Sequence, residues 1–324
     1  MRVTVLGAGA VGGWLAAGLA RAGWPVSILA RGASLAALQA DGLVLLEGDR
    51  REAFPVTAAA DPAALPPADL LLLGLKSHDL PGALPLIRRL IGPETLVATA
   101  QNGLPWWFLQ GFGGAAEGLV LESVDPGGAL AGAIPVGRVL GGVAHVGSRV
   151  EAPGTIRLMK QDRMLYGDPS GAHPGPLAAL VEALRRGGLP AEAAADLRRE
   201  VWLKLWGNSN MNPLSALCRA DMQAMLDDDG IRGLAEAMMA EMAALGDRIG
   251  LPTGQGIDER MTVTRRLGPF RTSMLQDLEA GRPLELGPVL GALVELAGHL
   301  GHPVPVLSGI HGLARLLARN LAAG

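Results

Sequence analysis

The stretch MRVTVLGAGAVGG, residues 1–13, decides how this chain folds. Arg2 to Leu6 reads as a strand, Ala10 to Ala22 as a helix ended around Gly23, and Val26 to Leu29 as the next strand. Strand, glycine turn, helix and strand in that order open a doubly wound α/β sheet. In such a turn Gly7 makes the tight bend, Gly9 lets the backbone approach a pyrophosphate, and Gly12 lets the helix meet the strand. Gly7, Ala8, Gly9, Ala10, Val11 and Gly12 then form a cradle for a dinucleotide at a helix N-terminus. The chain has 46 glycines, so the triplet alone carries little. Its place directly after a strand and before a helix carries the reading.

The end of the second strand selects the cofactor. An NAD site presents an acid there for the ribose hydroxyls, but no acid lies between Val26 and Leu38. Arg31 stands in its place, and a guanidinium pairs with a 2′-phosphate through its planar fork, which points to NADPH. Lys76 follows the apolar run Leu70 to Leu75, where ligands meet the carboxyl ends of parallel strands. It is a second charge for the phosphate or an isolated surface lysine, as Arg31 is a ligand or a surface arginine.

Composition excludes several classes. The 324 residues allow more than one core. With 28 basic against 31 acidic residues the net charge is -3, which gives no footprint for nucleic acid or a charged membrane surface. Cys218 is the single cysteine, excluding an intrachain disulfide framework, and reads as a small buried hydrophobe. Met1 to Leu6 lacks the apolar core of a signal peptide, and Leu70 to Leu75 is too short to span a bilayer, so a cytoplasmic protein is expected. The six histidines are scattered without a metal-ligand spacing, and no metal is expected.

Thr95 to Ala100 reads as a further strand, ending at Gln101-Asn102-Gly103. Gly118 to Val124, Val139 to Val146 and Thr155 to Met159 read as antiparallel additions. Asp168 to Pro176 reads as a linker, Leu177 to Arg186 as a helix and Leu189 to Ala194 as extended. Helices are expected over Leu197 to Asn212, ended or kinked by Pro213, and over Asp228 to Gly246, Gly256 to Arg266, Pro288 to Leu300 and Gly309 to Leu317. The division is an α/β dinucleotide-binding domain over 1–169 and an all-α domain over 176–324. The last helices are apolar enough for either a homodimer surface or domain packing.

Lys204, Asn208 and Asn212 are spaced four and four, so they form one stripe on a helix. Trp202, Leu203, Leu205 and Trp206 surround it. The stripe is the wall of a wet cleft, a buried network or a solvated face. A lysine suits reduction of a ketone, because it neutralises the alkoxide forming as hydride arrives and hands over the proton. Glu285 orients Lys204, accepts a substrate hydroxyl or is a half-exposed helix start. Ser273 is a candidate contact for a substrate carboxylate, and Asp277 caps a helix or buttresses the site.

These landmarks together make the chain resemble the 2-dehydropantoate 2-reductase (ketopantoate reductase) family over essentially its full length. They are GAGAVG, Arg31, Lys76 in GLKSHD, Asn102 in AQNG, KLxxNxxxNPLSAL from Lys204 and SMLQDLEAGRPLE from Ser273. The resemblance implies a Rossmann-type domain followed by a helical domain of the 6-phosphogluconate dehydrogenase-like type, with substrate between them. It implies NADPH as hydride donor to C2 of ketopantoate, giving pantoate on the route to pantothenate and coenzyme A. It further implies that Arg31 and Lys76 bind the 2′-phosphate and that Asn102 lies near the nicotinamide ribose and substrate. By the same resemblance Lys204 is the acid, and Asn208, Asn212, Ser273 and Glu285 bind substrate, with Glu285 taking its hydroxyl. The chain departs from the family's pattern at Gly287-Pro288, where an acid is common, at Arg271 and at Trp106-Trp107. A reductase of another 2-oxo acid is the alternative among enzymes, and a non-catalytic NADP(H)-binding sensor the alternative outside them.

Overall fold

Val3–Leu6 forms β1, with all four residues buried. A strand covered on both faces needs an apolar run rather than an alternating one, which VTVL nearly supplies. The structure is a computed structural model and describes residues 1–323. Helix α1 (Ala10–Arg21) follows the glycine turn and buries Trp14, Leu15 and Leu19. Next come β2 (Val26–Leu29), α2 (Gly32–Asp41), β3 (Leu43–Glu47), β4 (Arg50–Phe54), β5 (Thr57–Ala59) and the fully buried β6 (Leu70–Leu73). Then α3 (Leu80–Leu90), β7 (Leu96–Thr99), α4 (Ala129–Ala133), β8 (Val139–Ala152), β9 (Thr155–Gly167), α5 (Pro174–Arg186) and β10 (Ala191–Ala193) complete the set.

These strands make one ten-stranded sheet in the order β4-β3-β9-β8-β7-β6-β1-β2-β5, with β10 on β9. The path from β8 to β5 is parallel, whereas β8 with β9 and β3 with β4 are antiparallel. The sheet is therefore a Rossmann-type parallel core with a mixed extension. The helical part contains α6 (Leu197–Cys218), α7 (Met222–Asp227), α8 (Asp229–Arg248), α9 (Ile257–Arg265), α10 (Ser273–Glu279), a π turn over Gly287–Gly291, α11 (Ala292–His299) and α12 (Pro305–Ala323).

Contacts divide the chain into two units. The first is Met1–Gln101 with Ala129–Leu197, and the second is Asn102–Gly128 with the chain from Arg198 onward. This differs from the expected division at Asp168 to Pro176. That segment is a turn inside the first unit that runs into α5 at Pro174, tied by the Asp168 carboxylate accepting from the Ser170 N–H at 2.9 Å and its hydroxyl at 2.7 Å. Beyond it, β10 still pairs with β9 and α5 still packs on α1, so the chain has not left the sheet.

Three further expectations are corrected. Gly118 to Val124 is not a strand but a series of turns in the second unit. The amides of Glu122 and Ser123 donate to the Glu295 carboxylate at 2.6 and 2.9 Å, which supplies from a side chain what a neighbouring strand would have supplied. Of the two outcomes expected at Pro213, an end to the helix is excluded, because α6 runs through it. Met211, Leu214 and Ala216 are buried on both sides of the proline, and their burial offsets a cost of about 3 kcal/mol. Cys218 is exposed rather than buried. It lies on the last turn of α6, just before Arg219 takes a left-handed conformation and the Ser215 hydroxyl closes the end onto the Ala220 carbonyl at 2.6 Å.

Candidate active site

In the first unit, β1 pairs with β2 on one side and β6 on the other, in parallel and in register. Leu6 is opposite both Leu29 and Leu73, so the chain leaves all three strands at one edge. The glycine turn leaves from the middle strand, Arg31 lies two residues past β2, and Lys76 three past β6. The fold thus carries all three elements to the same edge of the sheet. Arg31 is exposed at the N-cap of α2, and Lys76 is half-buried.

The turn itself explains its glycines. Gly7 has φ +94°, and a Cβ there would meet the Leu75 nitrogen at 2.7 Å. A Cβ on Gly12 would strike the Gly7 carbonyl and stand 2.9 Å from the Gly74 Cα. A Cβ on Gly9 would meet nothing within 4 Å, so that position faces open space. No side chain caps α1 at Gly9, which leaves its first amides for an incoming anion. The residues present therefore fit a pyrophosphate. Gln101, not anticipated from the sequence, steadies this edge by donating to the carbonyls of Leu73 and Leu75 at 2.7 and 3.2 Å.

In the second unit, α6 sorts its residues by face. Trp202 and Trp206 are fully buried, the Trp206 indole donates to the Met239 carbonyl at 2.9 Å, and Ser209 donates to the Met242 sulfur at 3.2 Å. The polar stripe turns elsewhere. Asn212 is buried and Lys204 and Asn208 are half-buried, so the stripe is not a solvated face.

The Lys204 ammonium donates to Asn102 Oδ1 at 2.7 Å. Asn102, expected within 1–169, belongs by its contacts to the second unit, beginning with the residue after Gln101. Its loop is locked by the π turn. The Leu104 N–H donates to the Pro288 carbonyl at 2.8 Å, and Gly103, at φ +82°, lies so close to Pro288 that a Cβ would collide with it. Gly287-Pro288, the departure noted in the sequence, is thus the seat of the loop that carries Asn102. A second departure, Trp106-Trp107, is core packing, since both residues are buried.

Glu285 is buried one turn before that seat. Lys204 keeps partial exposure, yet enough protein surrounds the ammonium that desolvation pushes its pKa down to about 8, with the Glu285 carboxylate pulling it upward. Ser273 is the exposed first residue of α10. Thr272, not Asp277, caps that helix, accepting from the Leu275 N–H at 3.2 Å. The Asp277 carboxylate instead receives Arg282 at 2.8 Å. Among the described residues no three His, Cys, Asp or Glu side chains gather as a metal site, and no helix is long and apolar enough to cross a membrane.

A Rossmann-type unit with a helical unit that half-buries a lysine beside an asparagine and a carboxylate is the make-up of a nicotinamide-dependent oxidoreductase. Comparison with known proteins narrows the class. The family described as ketopantoate reductase PanE/ApbA matches residues 3–106, and its C-terminal part matches residues 196–318. A Mesorhizobium japonicum protein named 2-dehydropantoate 2-reductase is 44% identical over 319 residues, covering 98% of each chain. A Ralstonia solanacearum MolK2 structure assigned to the ketopantoate reductases superposes with TM-score 0.93 at 42% identity, covering 99% of this chain and 98% of that one. The 2-dehydropantoate 2-reductase of Methylococcus capsulatus gives 0.86 at 26% identity, with 99% and 98% covered. The chain belongs to the ketopantoate reductase family.

Proposed function

We propose that this chain reduces 2-dehydropantoate to pantoate with NADPH. The observation that carries the reading is the Lys204–Asn102 pair at 2.7 Å, with the buried Glu285 carboxylate acting on the same ammonium. When bound, the nicotinamide supplies the hydride. Lys204, with a pKa of about 8, is charged at neutral pH yet close enough to it to release its proton. It therefore meets the developing alkoxide with a positive charge and then protonates it. Asn102 holds the ammonium by its Oδ1 and so fixes the direction of the remaining N–H bonds. Asn208 and Asn212 present amides without a competing charge, and Ser273 adds a hydroxyl. Glu285 accepts the hydroxyl of the substrate.

Gly7, Ala8, Gly9, Ala10, Val11 and Gly12 hold the pyrophosphate, and Arg31 and Lys76 take the 2′-phosphate. The absence of an acid after β2 supports NADPH over NADH. The test is oxidation of NADPH and of NADH with a panel of 2-oxo acids that includes 2-dehydropantoate. The reading expects 2-dehydropantoate to have the highest kcat/KM and NADPH to be preferred. A better substrate among the other acids would move the chain to a different reductase. No oxidation with any acid would make it a dinucleotide-binding protein without this chemistry.

A further inference from the structure

Arg260 takes no part in the chemistry proposed for Lys204, Asn102 and Glu285. It lies on α9 beside the buried Met261 and Thr264, so its side chain leaves from the inward part of the helix. It is half-buried, and its Nε is fully enclosed without a hydrogen-bond partner among the described residues. Neighbouring arginines of this unit are answered. Arg265 pairs with Asp227 at 2.6 Å, Arg282 with Asp277 at 2.8 Å, and Arg232 with Asp229 at 2.5 Å. Arg260 makes no such pair among the described residues. Burial holds its pKa below the ordinary arginine value, with no carboxylate compensating. A half-buried cation with an enclosed, unanswered N–H and no carboxylate beside it among the described residues is poorly compensated, and a ligand that brings an anion would answer it.

Its position says which ligand. The guanidinium Nη2 lies 2.6 Å from the point where a Cβ on Gly207 would be. Gly207 is three residues after Lys204 on α6, and residues so spaced are neighbours, about 5–6 Å apart at Cβ. Glycine inside a helix is less stable than alanine, and here its missing side chain is the space the guanidinium fills. In a 2-oxo acid the carboxylate is bonded directly to the carbonyl carbon. Whatever binds that carboxylate must therefore lie within a few ångströms of the group that protonates the carbonyl oxygen.

Resting on the function proposed above, we infer that Arg260 is the anchor for the substrate carboxylate, holding the anion beside Lys204 while the lysine acts on the adjacent carbonyl. The planar fork of arginine matches a carboxylate with two parallel N–H bonds, which a lysine there could not supply.

The experiment compares 2-dehydropantoate with its uncharged methyl ester, at saturating NADPH, in the unaltered protein, Arg260→Gln and Gly207→Ala. Arg260→Gln is expected to raise KM for the acid tenfold or more while leaving kcat/KM for the ester within twofold. Gly207→Ala keeps the charge and favours the helix, but its new methyl pushes the guanidinium aside. It is expected to raise KM for the acid several-fold without lowering the melting temperature, and it keeps the test open if Arg260→Gln does not fold. A KM for the acid within twofold of normal in both variants overturns the assignment. So does an equal loss on acid and ester, which is what a merely structural arginine would give. Failure of the unaltered protein to oxidise NADPH with any 2-oxo acid overturns the functional reading itself and the anchor with it.

Discussion

On the proposed mechanism, replacing Lys204 by alanine removes a group whose charge is needed more in the transition state than before it. With a pKa of about 8, roughly nine-tenths of the lysine is protonated at pH 7. The alkoxide formed by hydride transfer then loses both its partner and its proton donor. Turnover should fall about 100-fold or more, equivalent to at least about 2.7 kcal/mol of lost stabilisation. Turnover at saturating NADPH and 2-dehydropantoate measures this, with NADPH affinity measured alongside as a control. A folded variant retaining more than about a third of normal turnover would refute the reasoning. The same lysine makes an independent mark on stability. Its folded-state pKa of about 8 lies below the ordinary 10.5, so between those pH values the unfolded chain binds more protons and stability rises with pH. The cost is full below about pH 8, at most about 3 kcal/mol, and is gone above 10.5. Lys204→Ala should lack this rise when unfolding free energies are compared across the window.

Three other substitutions probe the remaining parts. Arg31→Ala should weaken NADPH binding by about 1–3 kcal/mol and leave NADH nearly unchanged in a titration of each cofactor; equal losses for both would remove Arg31 from the 2′-phosphate. Glu285→Gln keeps the volume but not the charge, so KM for 2-dehydropantoate should rise while an analogue without the hydroxyl is affected less. The Lys204 pKa should also fall below about 8, because the one group holding it up is gone. Gly103→Ala adds a Cβ against Pro288 at a left-handed φ, so thermal unfolding should show a loss of at least about 1 kcal/mol. Turnover should drop too, as Asn102 shifts from the ammonium.

What could be read from the chain follows from how local each signal is. The bounds of β1, α1 and β2 are nearly those expected, because an apolar run, a glycine turn and a helix stop are all written within thirty residues. Helix α2 buries little besides Leu38, so the chain offers no apolar stripe there to count. The turns at Gly118 to Val124 mislead for the opposite reason. Their amides are answered by Glu295, more than 170 residues away, and no window along the chain contains that pairing. Pro213 shows a local rule overridden by burial. In the site, the spacing of Lys204, Asn208 and Asn212 was legible as a stripe, but the placement of Asn102 on Lys204 was not. It depends on Gly103 nesting against Pro288, a contact between distant segments. Arg260 carries no motif. Only the absence of a partner in three dimensions marks it.

The most direct test of the account is kcat/KM for 2-dehydropantoate reduction measured against pH at saturating NADPH. An acid at Lys204 predicts a plateau at neutral pH and a tenfold fall per pH unit above about 8, as the ammonium loses its proton. Lys204→Ala should be low throughout and lack that limb. A profile that stays flat through pH 9 in the unaltered protein, or the same limb persisting in the variant, would show that another group gives the proton.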